Sequence, residues 1–120
     1  MAWVSTGAWA LMIFILSSIP SESYPSHPGF LNNVVHFLLY FGLAALIVVG
    51  LTGGKLKPVL ILVIAILLAS LYGASDEFHQ LFVPGRNSDP LDWMVDSLGA
   101  IAGALTATAI LKVRAKKNLL

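Results

Sequence analysis

Hydrophobic residues are gathered into four long runs, separated by short segments that contain polar residues, glycine or proline. A membrane-spanning helix needs about 20 mostly apolar residues, with roughly 17 as the lower bound. Each run approaches that length, and none shows the alternating pattern of strands in a membrane barrel. The pattern predicts an all-α, integral membrane four-helix bundle. It forms a single domain over residues 1–120, with spans at about 3–19, 34–51, 59–80 and 91–113.

The composition of the chain agrees with a membrane location. Hydrophobic residues make up 58% of its 120 residues and charged residues 11%, whereas soluble domains carry about 25% charged residues. The first run lacks the basic start and the small-residue cleavage site of a signal peptide, so we expect it to be retained as a span. The chain has no cysteine, which excludes disulfides and thiolate chemistry.

The basic residues predict the orientation of the bundle. Six of the seven lysines and arginines fall on one side of a four-span stack: Lys55, Lys57, Lys112, Arg114, Lys116 and Lys117. Because cytoplasmic loops are enriched in Lys and Arg, we expect both termini and the Lys55 loop on the cytoplasmic side of the cell membrane. The remaining base, Arg86, lies on the other side. The net charge of +1 does not suggest nucleic-acid binding.

The acidic residues sort the opposite way, into the half of the protein that is predicted to face outward. They are Glu22, Asp76, Glu77, Asp89, Asp92 and Asp96. Asp89 precedes Pro90, as expected for an N-cap followed by proline at the first helical position. Asp96 lies beyond the first turn of span four, at membrane depth, where a carboxylate is costly and indicates a functional site.

Other polar side chains are predicted to face these acids. His36 and Tyr40 share one face of span two, and Gln80 follows Glu77 by three residues at the end of span three. The segment between span one and Asn33, with Tyr24 and His27, is predicted to be irregular. We therefore expect a polar pocket that opens outward, lined by His36, Tyr40, Glu77, Gln80, Arg86, Asp92 and Asp96.

Two features of this half have competing interpretations. Gly99 and Gly103 form a small-xxx-small motif, which favours close packing between helices of the bundle over dimerisation. Arg86 is expected to pair with Glu77, Asp92 or Asp96, either as a latch closing the bundle or as a clamp for an anionic ligand. An excess of acids predicts either that one carboxyl keeps its proton or that a cation is recruited.

Familiar catalytic patterns are absent from the sequence. No H-E-x-x-H or comparable spacing supports a metal, and no Gly-x-Ser-x-Gly elbow supports a nucleophilic serine, so neither metal nor cofactor is expected. The candidates for acid–base chemistry are Glu77, Asp92, Asp96 and His36. A lone histidine inside a membrane, such as His36, is more often a hydrogen-bonding link between two helices than a ligand.

Several of these residues also form one longer pattern: Glu77-x-x-Gln80, Phe82-x-Pro84-x-Arg86 and Asp92-x-x-x-Asp96-x-x-Gly99-x-x-x-Gly103, with His36-Phe37 and Tyr40 in span two. This pattern resembles the signature of the VanZ-like family, and the resemblance covers nearly the whole chain. It implies a bacterial membrane protein, and the family's namesake is associated with low-level teicoplanin resistance. Relatives often carry an acid and a lysine just before the histidine, where this chain has Asn32 and Asn33.

The sequence therefore favours a protein that recognises or modifies a cell-envelope component, with a contribution to glycopeptide resistance. The expected partners are the lipid bilayer and an envelope precursor, lipid head group or glycopeptide. Two other classes stay open: a membrane-embedded enzyme that uses Glu77 and Asp96 as acid–base groups, and a structural accessory protein. A transporter is disfavoured, because the chain offers no acid below Asp96 to continue a polar path.

Overall fold

The structure is a computed structural model that describes residues 1–20 and 29–119. Within those ranges it contains four helices: α1 (Ala2–Ser18), α2 (Gly29–Leu51), α3 (Pro58–Gln80) and α4 (Pro90–Lys117). The predicted all-α four-helix bundle is confirmed. Helices α2, α3 and α4 are long and apolar enough to cross a membrane, and α1 is a shorter apolar helix of 17 residues.

Proline and glycine set most of the helix boundaries. α1 ends just before Pro20, where Ile19 is extended, because proline disfavours the helical conformation of the residue preceding it. α2 is followed by Gly53, whose φ of +99° lies in the left-handed region that glycine adopts without steric cost. α3 and α4 each begin with a proline, and the Asp89 side chain caps α4 by accepting from the Leu91 N–H at 2.9 Å.

Two helices are longer than the apolar runs that predict them. α2 begins at Gly29 rather than at residue 34, and α4 continues to Lys117 rather than 113. Hydropathy reports the apolar centre of a bilayer, whereas a helix satisfies its own backbone hydrogen bonds wherever it continues. Residues 29–33, predicted to be irregular, are therefore helical. Tyr24 and His27 lie outside the described residues.

Helix α2 is the centre of the bundle, since it contacts all three other helices and α4 most extensively. The approach to α4 is closest at Gly99 and Gly103, where an added Cβ would overlap the backbone of Phe37 and Phe41. Small residues are common at the other helix contacts, as is usual for packing inside a membrane, and larger apolar residues such as Leu43, Ile47 and Val48 complete the core. The fully buried alanines are Ala44, Ala65, Ala69, Ala100 and Ala104.

The bundle measures 54 × 23 × 22 Å, long enough to cross a hydrocarbon layer of about 30 Å. Large apolar side chains cover its sides, and examples from each helix are Leu11, Leu38, Leu71 and Leu105. A soluble monomer rarely exposes so large a continuous apolar surface. The chain is therefore a multi-pass membrane protein whose sides face lipid.

Hydrogen bonds from side chains to backbone carbonyls fasten α1 to the bundle. The Trp9 indole N–H donates to the Leu39 carbonyl of α2 at 2.8 Å, and the Tyr72 hydroxyl of α3 donates to the Ala10 carbonyl at 2.6 Å. The Trp9 ring fits against Gly42, where a Cβ would clash with it. These contacts hold the end of α1 beside the ends of its neighbours, where the polar residues gather.

Candidate functional site

The two ends of the bundle differ in composition. α1 and α3 end, and α2 and α4 begin, at what we call the carboxylate end, which contains Asp76, Glu77, Asp92 and Asp96. The opposite end, which we call the lysine end, contains the Lys55 loop and the basic last turn of α4. All of the described residues that we predicted for the polar site belong to the carboxylate end.

The centre of the carboxylate end is a buried contact between His36 and Asp96. The Nδ1 atom of His36, on α2, lies 2.8 Å from Oδ1 of Asp96, on α4. Asp96 has no exposed surface and His36 is 8% exposed. The close approach of Gly99 to the Phe37 backbone brings these two helix segments together. His36 therefore links two helices, and this bond leaves Oδ2 of Asp96 for another partner.

Tyr40 lies one turn further along α2 than His36, and it is completely buried. An added Cβ at Gly73 of α3 would come within 3.3 Å of the Tyr40 ring and 3.2 Å of Asp96 Oδ2. Gly73 thus allows Tyr40 and Asp96 to meet on one side of α3. The Tyr40 hydroxyl has no hydrogen-bond partner among the described residues. A buried hydroxyl without a partner is costly.

The end of α3 contributes Asp76, Glu77 and Gln80, all of them buried. Oε2 of Glu77 accepts from the backbone N–H of Asp89 at 2.9 Å and from the Ser88 hydroxyl at 3.3 Å. These bonds tie the end of α3 to the start of α4. The Gln80 amide donates to the Ser17 hydroxyl of α1 at 3.3 Å, so it connects α3 to α1 rather than to the acids.

Asp76, Glu77 and Asp96 form a cluster of buried carboxylates. One oxygen atom from each lies within 4.8 Å of the others. Two of the cluster's oxygens, Glu77 Oε1 and Asp96 Oδ2, have no hydrogen-bond partner among the described residues. The only groups within the described chain that combine this density of charge with burial are at this end. Such an arrangement can bind a cation, hold protons or accept bonds from a polar ligand.

Asp76 was not among the residues predicted to line the site, although it is 6% exposed and belongs to the cluster. The sequence did contain a signal for it. Gly73, Asp76 and Gln80 are spaced three and four residues apart, which places them on one stripe of α3 facing the bundle. A stripe that begins with glycine marks the face on which another helix comes close.

Arg86 contacts the end of α1 rather than the predicted carboxylates. Its guanidinium donates to the backbone carbonyls of Ile19 and Leu16, at 3.2 Å each. The one ion pair between described side chains is His36–Asp96. The cause is the position of α1, because carbonyls at the end of a helix readily accept from a nearby cation. Arg86 thus holds the α3–α4 loop against α1.

Other polar residues of the carboxylate end lie at the edge of the site. Asp92 is half-buried in the first turn of α4, and Asn33 is exposed. The His79 ring stacks on Phe14 and contacts the Ser18 hydroxyl at 2.9 Å, so it faces α1. Glu22 lies outside the described residues.

Together, the fold and the site define a class: a small multi-pass helical membrane protein with a cluster of acids buried at one end. Comparison with family models then supplies the family. The model described as VanZ/LLP1 matches residues 2–112, and the chain belongs to this family. Searches of curated proteins and of solved structures found no match.

Proposed function

We propose that this protein recognises a polar component of the bacterial cell envelope at its carboxylate end, and that this recognition lowers susceptibility to glycopeptides such as teicoplanin. The supporting observation is the set of buried oxygens without partners: Tyr40 Oη, Glu77 Oε1 and Asp96 Oδ2. Burying such atoms costs about 1–3 kcal/mol each. A purely structural bundle would gain stability by replacing them, so their presence favours a ligand.

The orientation of the bundle is part of this proposal. The excess of Lys and Arg at the lysine end favours a cytoplasmic location for that end and for both termini. The carboxylate end then faces outward in the cytoplasmic membrane, where envelope precursors and lipid head groups are accessible. His36, Tyr40, Glu77, Asp92 and Asp96 would provide polar contacts to the ligand.

The role of Arg86 changes in this proposal from the one that its sequence position suggests. Since its guanidinium bonds to the Leu16 and Ile19 carbonyls, we assign it to the wall of the site. It would shape the entrance by fixing the α3–α4 loop, and Gln80 would do the same through Ser17.

A second candidate function is a membrane-embedded enzyme. The 2.8 Å contact between His36 and Asp96 favours it, because a carboxylate that orients a histidine is a recurrent acid–base arrangement. Glu77 would be the second acid–base group. The two functions differ in one consequence: Glu77→Gln retains much of the activity of a binding protein but abolishes turnover.

The test scores isosteric variants for membrane abundance and for teicoplanin susceptibility in a bacterial host. Asp96→Asn is expected to lower protection while abundance is retained, because it changes the charge of the buried His36–Asp96 contact. Glu77→Gln is expected to keep much of the protection if the protein binds without turnover, and to abolish it if the protein is an enzyme. Asp89→Asn is the matched control, since asparagine also caps a helix and the side chain of Asp89 is exposed. If protection falls only in step with abundance, the protein is a structural accessory instead.

Orientation is tested separately, using the absence of cysteine from the chain. A membrane-impermeant thiol reagent should label Asn87→Cys in intact cells. It should label Lys55→Cys only after permeabilisation. Both positions are exposed, so the reverse pattern would place the carboxylate end in the cytoplasm.

A further inference from the structure

The carboxylate cluster has the composition of a cation site. Asp76 and Glu77 come from the last turn of α3, and Asp96 comes from the second turn of α4. One oxygen of each lies within 4.8 Å of the other two, and all three residues are buried. His36 contacts one of these carboxylates, Asp96, and can balance one negative charge.

A second observation is independent of the acids themselves. The Tyr40 hydroxyl is completely buried and has no partner among the described residues. A Cβ added at Gly73 would lie 3.3 Å from the Tyr40 ring and 3.2 Å from Asp96 Oδ2, so the ring and this carboxylate approach the same point on α3. The Tyr40 hydroxyl is therefore a buried oxygen near the cluster that a bound cation could use.

The hydrogen bonds around the cluster leave one oxygen of two carboxylates available. His36 occupies Oδ1 of Asp96, and the Asp89 N–H with the Ser88 hydroxyl occupies Oε2 of Glu77. The opposite oxygens, Oδ2 and Oε1, have no partner among the described residues. This division is typical of metal sites, where outer hydrogen bonds orient ligating carboxylates.

We propose that Asp76, Glu77 and Asp96 bind a hard divalent cation such as Mg²⁺, Mn²⁺ or Ca²⁺, with the Tyr40 hydroxyl beside it. These ions prefer oxygen ligands at about 2.0–2.6 Å. The three oxygens lie within 4.8 Å of one another, so one ion could contact all three after a movement of the side chains, which is larger for Mg²⁺ than for Ca²⁺.

The sequence leaves open that the excess of acids recruits a cation, but it does not identify these three ligands, because they follow no compact motif. Asp76 and Glu77 are adjacent, and the third carboxylate follows 19 residues after Glu77, on another helix. Only the packing of α3 and α4 across Gly73 brings them together. The proposal does not rest on recognition of an envelope component, because its test uses the metal alone.

The test is a Mn²⁺ titration of the full chain, followed by electron paramagnetic resonance of the free ion. The protein is placed in nanodiscs of zwitterionic phosphatidylcholine, so that anionic lipids do not bind the metal. We expect saturable binding of one Mn²⁺ per chain, displaced by Mg²⁺ or Ca²⁺. Asp96→Asn and Glu77→Gln should weaken it by at least about tenfold, the scale of losses at metal sites.

Asp89→Asn is the matched control, since it removes one nearby but exposed negative charge and should leave Mn²⁺ affinity unchanged. Circular dichroism and size-exclusion chromatography verify that each variant is folded. The proposal is overturned if the wild type shows no saturable binding of Mn²⁺. It is equally overturned if Asp89→Asn lowers the affinity as much as Asp96→Asn does.

Discussion

The lysine end and the carboxylate end differ in the hydrogen bonds that their polar side chains form. At the lysine end, threonine hydroxyls donate to carbonyls four residues earlier in their own helix, as Thr6, Thr52 and Thr108 do. At the carboxylate end, Ser18 bonds in the same way to Phe14, but the buried His36 and Gln80 bond to other helices, with Asp96 and Ser17, and Arg86 bonds to Ile19 beyond the end of α1. A hydroxyl that bonds within its own helix can cross lipid without a partner on another helix. Bonds between helices instead fix the positions of the helices relative to one another.

The two ends also differ in what they leave without a partner. The three buried polar side-chain atoms that lack hydrogen bonds in the described chain are all at the carboxylate end. The lysine end instead has an apolar recess bordered by Val48, Ile61 and Leu111. The carboxylate end therefore carries a cost in stability that the lysine end does not, which agrees with the site proposed there.

The largest expected effect comes from the close contact between α2 and α4. Gly103→Val places side-chain atoms where the Phe41 backbone lies, so α2 and α4 must separate. Overpacking typically costs about 1–3 kcal/mol, and a backbone neighbour yields less than a side chain. We expect a large fall in the midpoint of thermal unfolding in detergent.

Gly7→Ala is the control for that substitution, because a Cβ at Gly7 meets nothing within 4 Å. Alanine is favoured over glycine inside a helix by about 0.5–1 kcal/mol, so its midpoint should stay or rise. Equal losses in the two variants would show that the α2–α4 contact is not the weak point of the fold.

The next effect concerns the buried pair of the carboxylate end. His36→Leu or Asp96→Leu alone should destabilise the protein by about 1–3 kcal/mol, because each leaves a buried polar partner. The double variant should recover much of that loss, since apolar replacements of buried pairs are often neutral or stabilising. Unfolding in detergent gives the coupling free energy, and additive losses would contradict the structural role of this contact.

A smaller effect is expected at the loop between α3 and α4. Arg86→Ala removes the two bonds to the end of α1. Hydrogen bonds from charged donors contribute about 1.5–3 kcal/mol when buried, and the half-buried position of Arg86 places the loss near the lower value. Faster amide exchange near Leu16 and Ile19 should accompany it. Lys55→Ala, exposed at the lysine end, should change stability by less than about 0.5 kcal/mol.

The smallest effect is expected within the lysine end. Thr108→Val removes a hydroxyl that donates only to Ala104, four residues earlier in the same helix. That carbonyl keeps its helical bond, so the unfolding free energy should change by less than about 0.5 kcal/mol. A loss of unfolding free energy as large as that of Arg86→Ala would contradict the difference in hydrogen bonding between the two ends.

Hydropathy and helical spacing were sufficient for most of the fold. The four apolar runs predicted all four helices, because a chain in lipid must satisfy its backbone bonds within each span. The start of α2 was placed late, since residues 29–33 include Asn32 and Asn33 and extend beyond the apolar run. Polarity measures where a helix leaves the apolar layer, and it does not measure where the helix begins.

The sequence was sufficient to identify most residues of the candidate site but not the contacts between them. Helical spacing placed His36, Tyr40 and Asp96 on interior faces, and all three are buried. Spacing could not choose the partner of Arg86, because the competing acceptors were backbone carbonyls of α1, which every sequence has. Spacing could not show either that Asp76 belongs to the buried cluster while Asp92 lies at its edge. That difference depends on how α3 and α4 meet at Gly73.

The bond between Glu77 and the Asp89 N–H has a consequence for how mutagenesis here is read. In a capping box, a residue in the first turn of a helix accepts from the N–H of that helix's own N-cap. In this protein the acceptor is Glu77, which belongs to the preceding helix. Alanine at position 77 therefore removes the bond between α3 and the start of α4 as well as a negative charge. Glutamine removes the charge but keeps an acceptor for the Asp89 N–H. Comparing the two variants therefore distinguishes the structural role of Glu77 from the role of its charge.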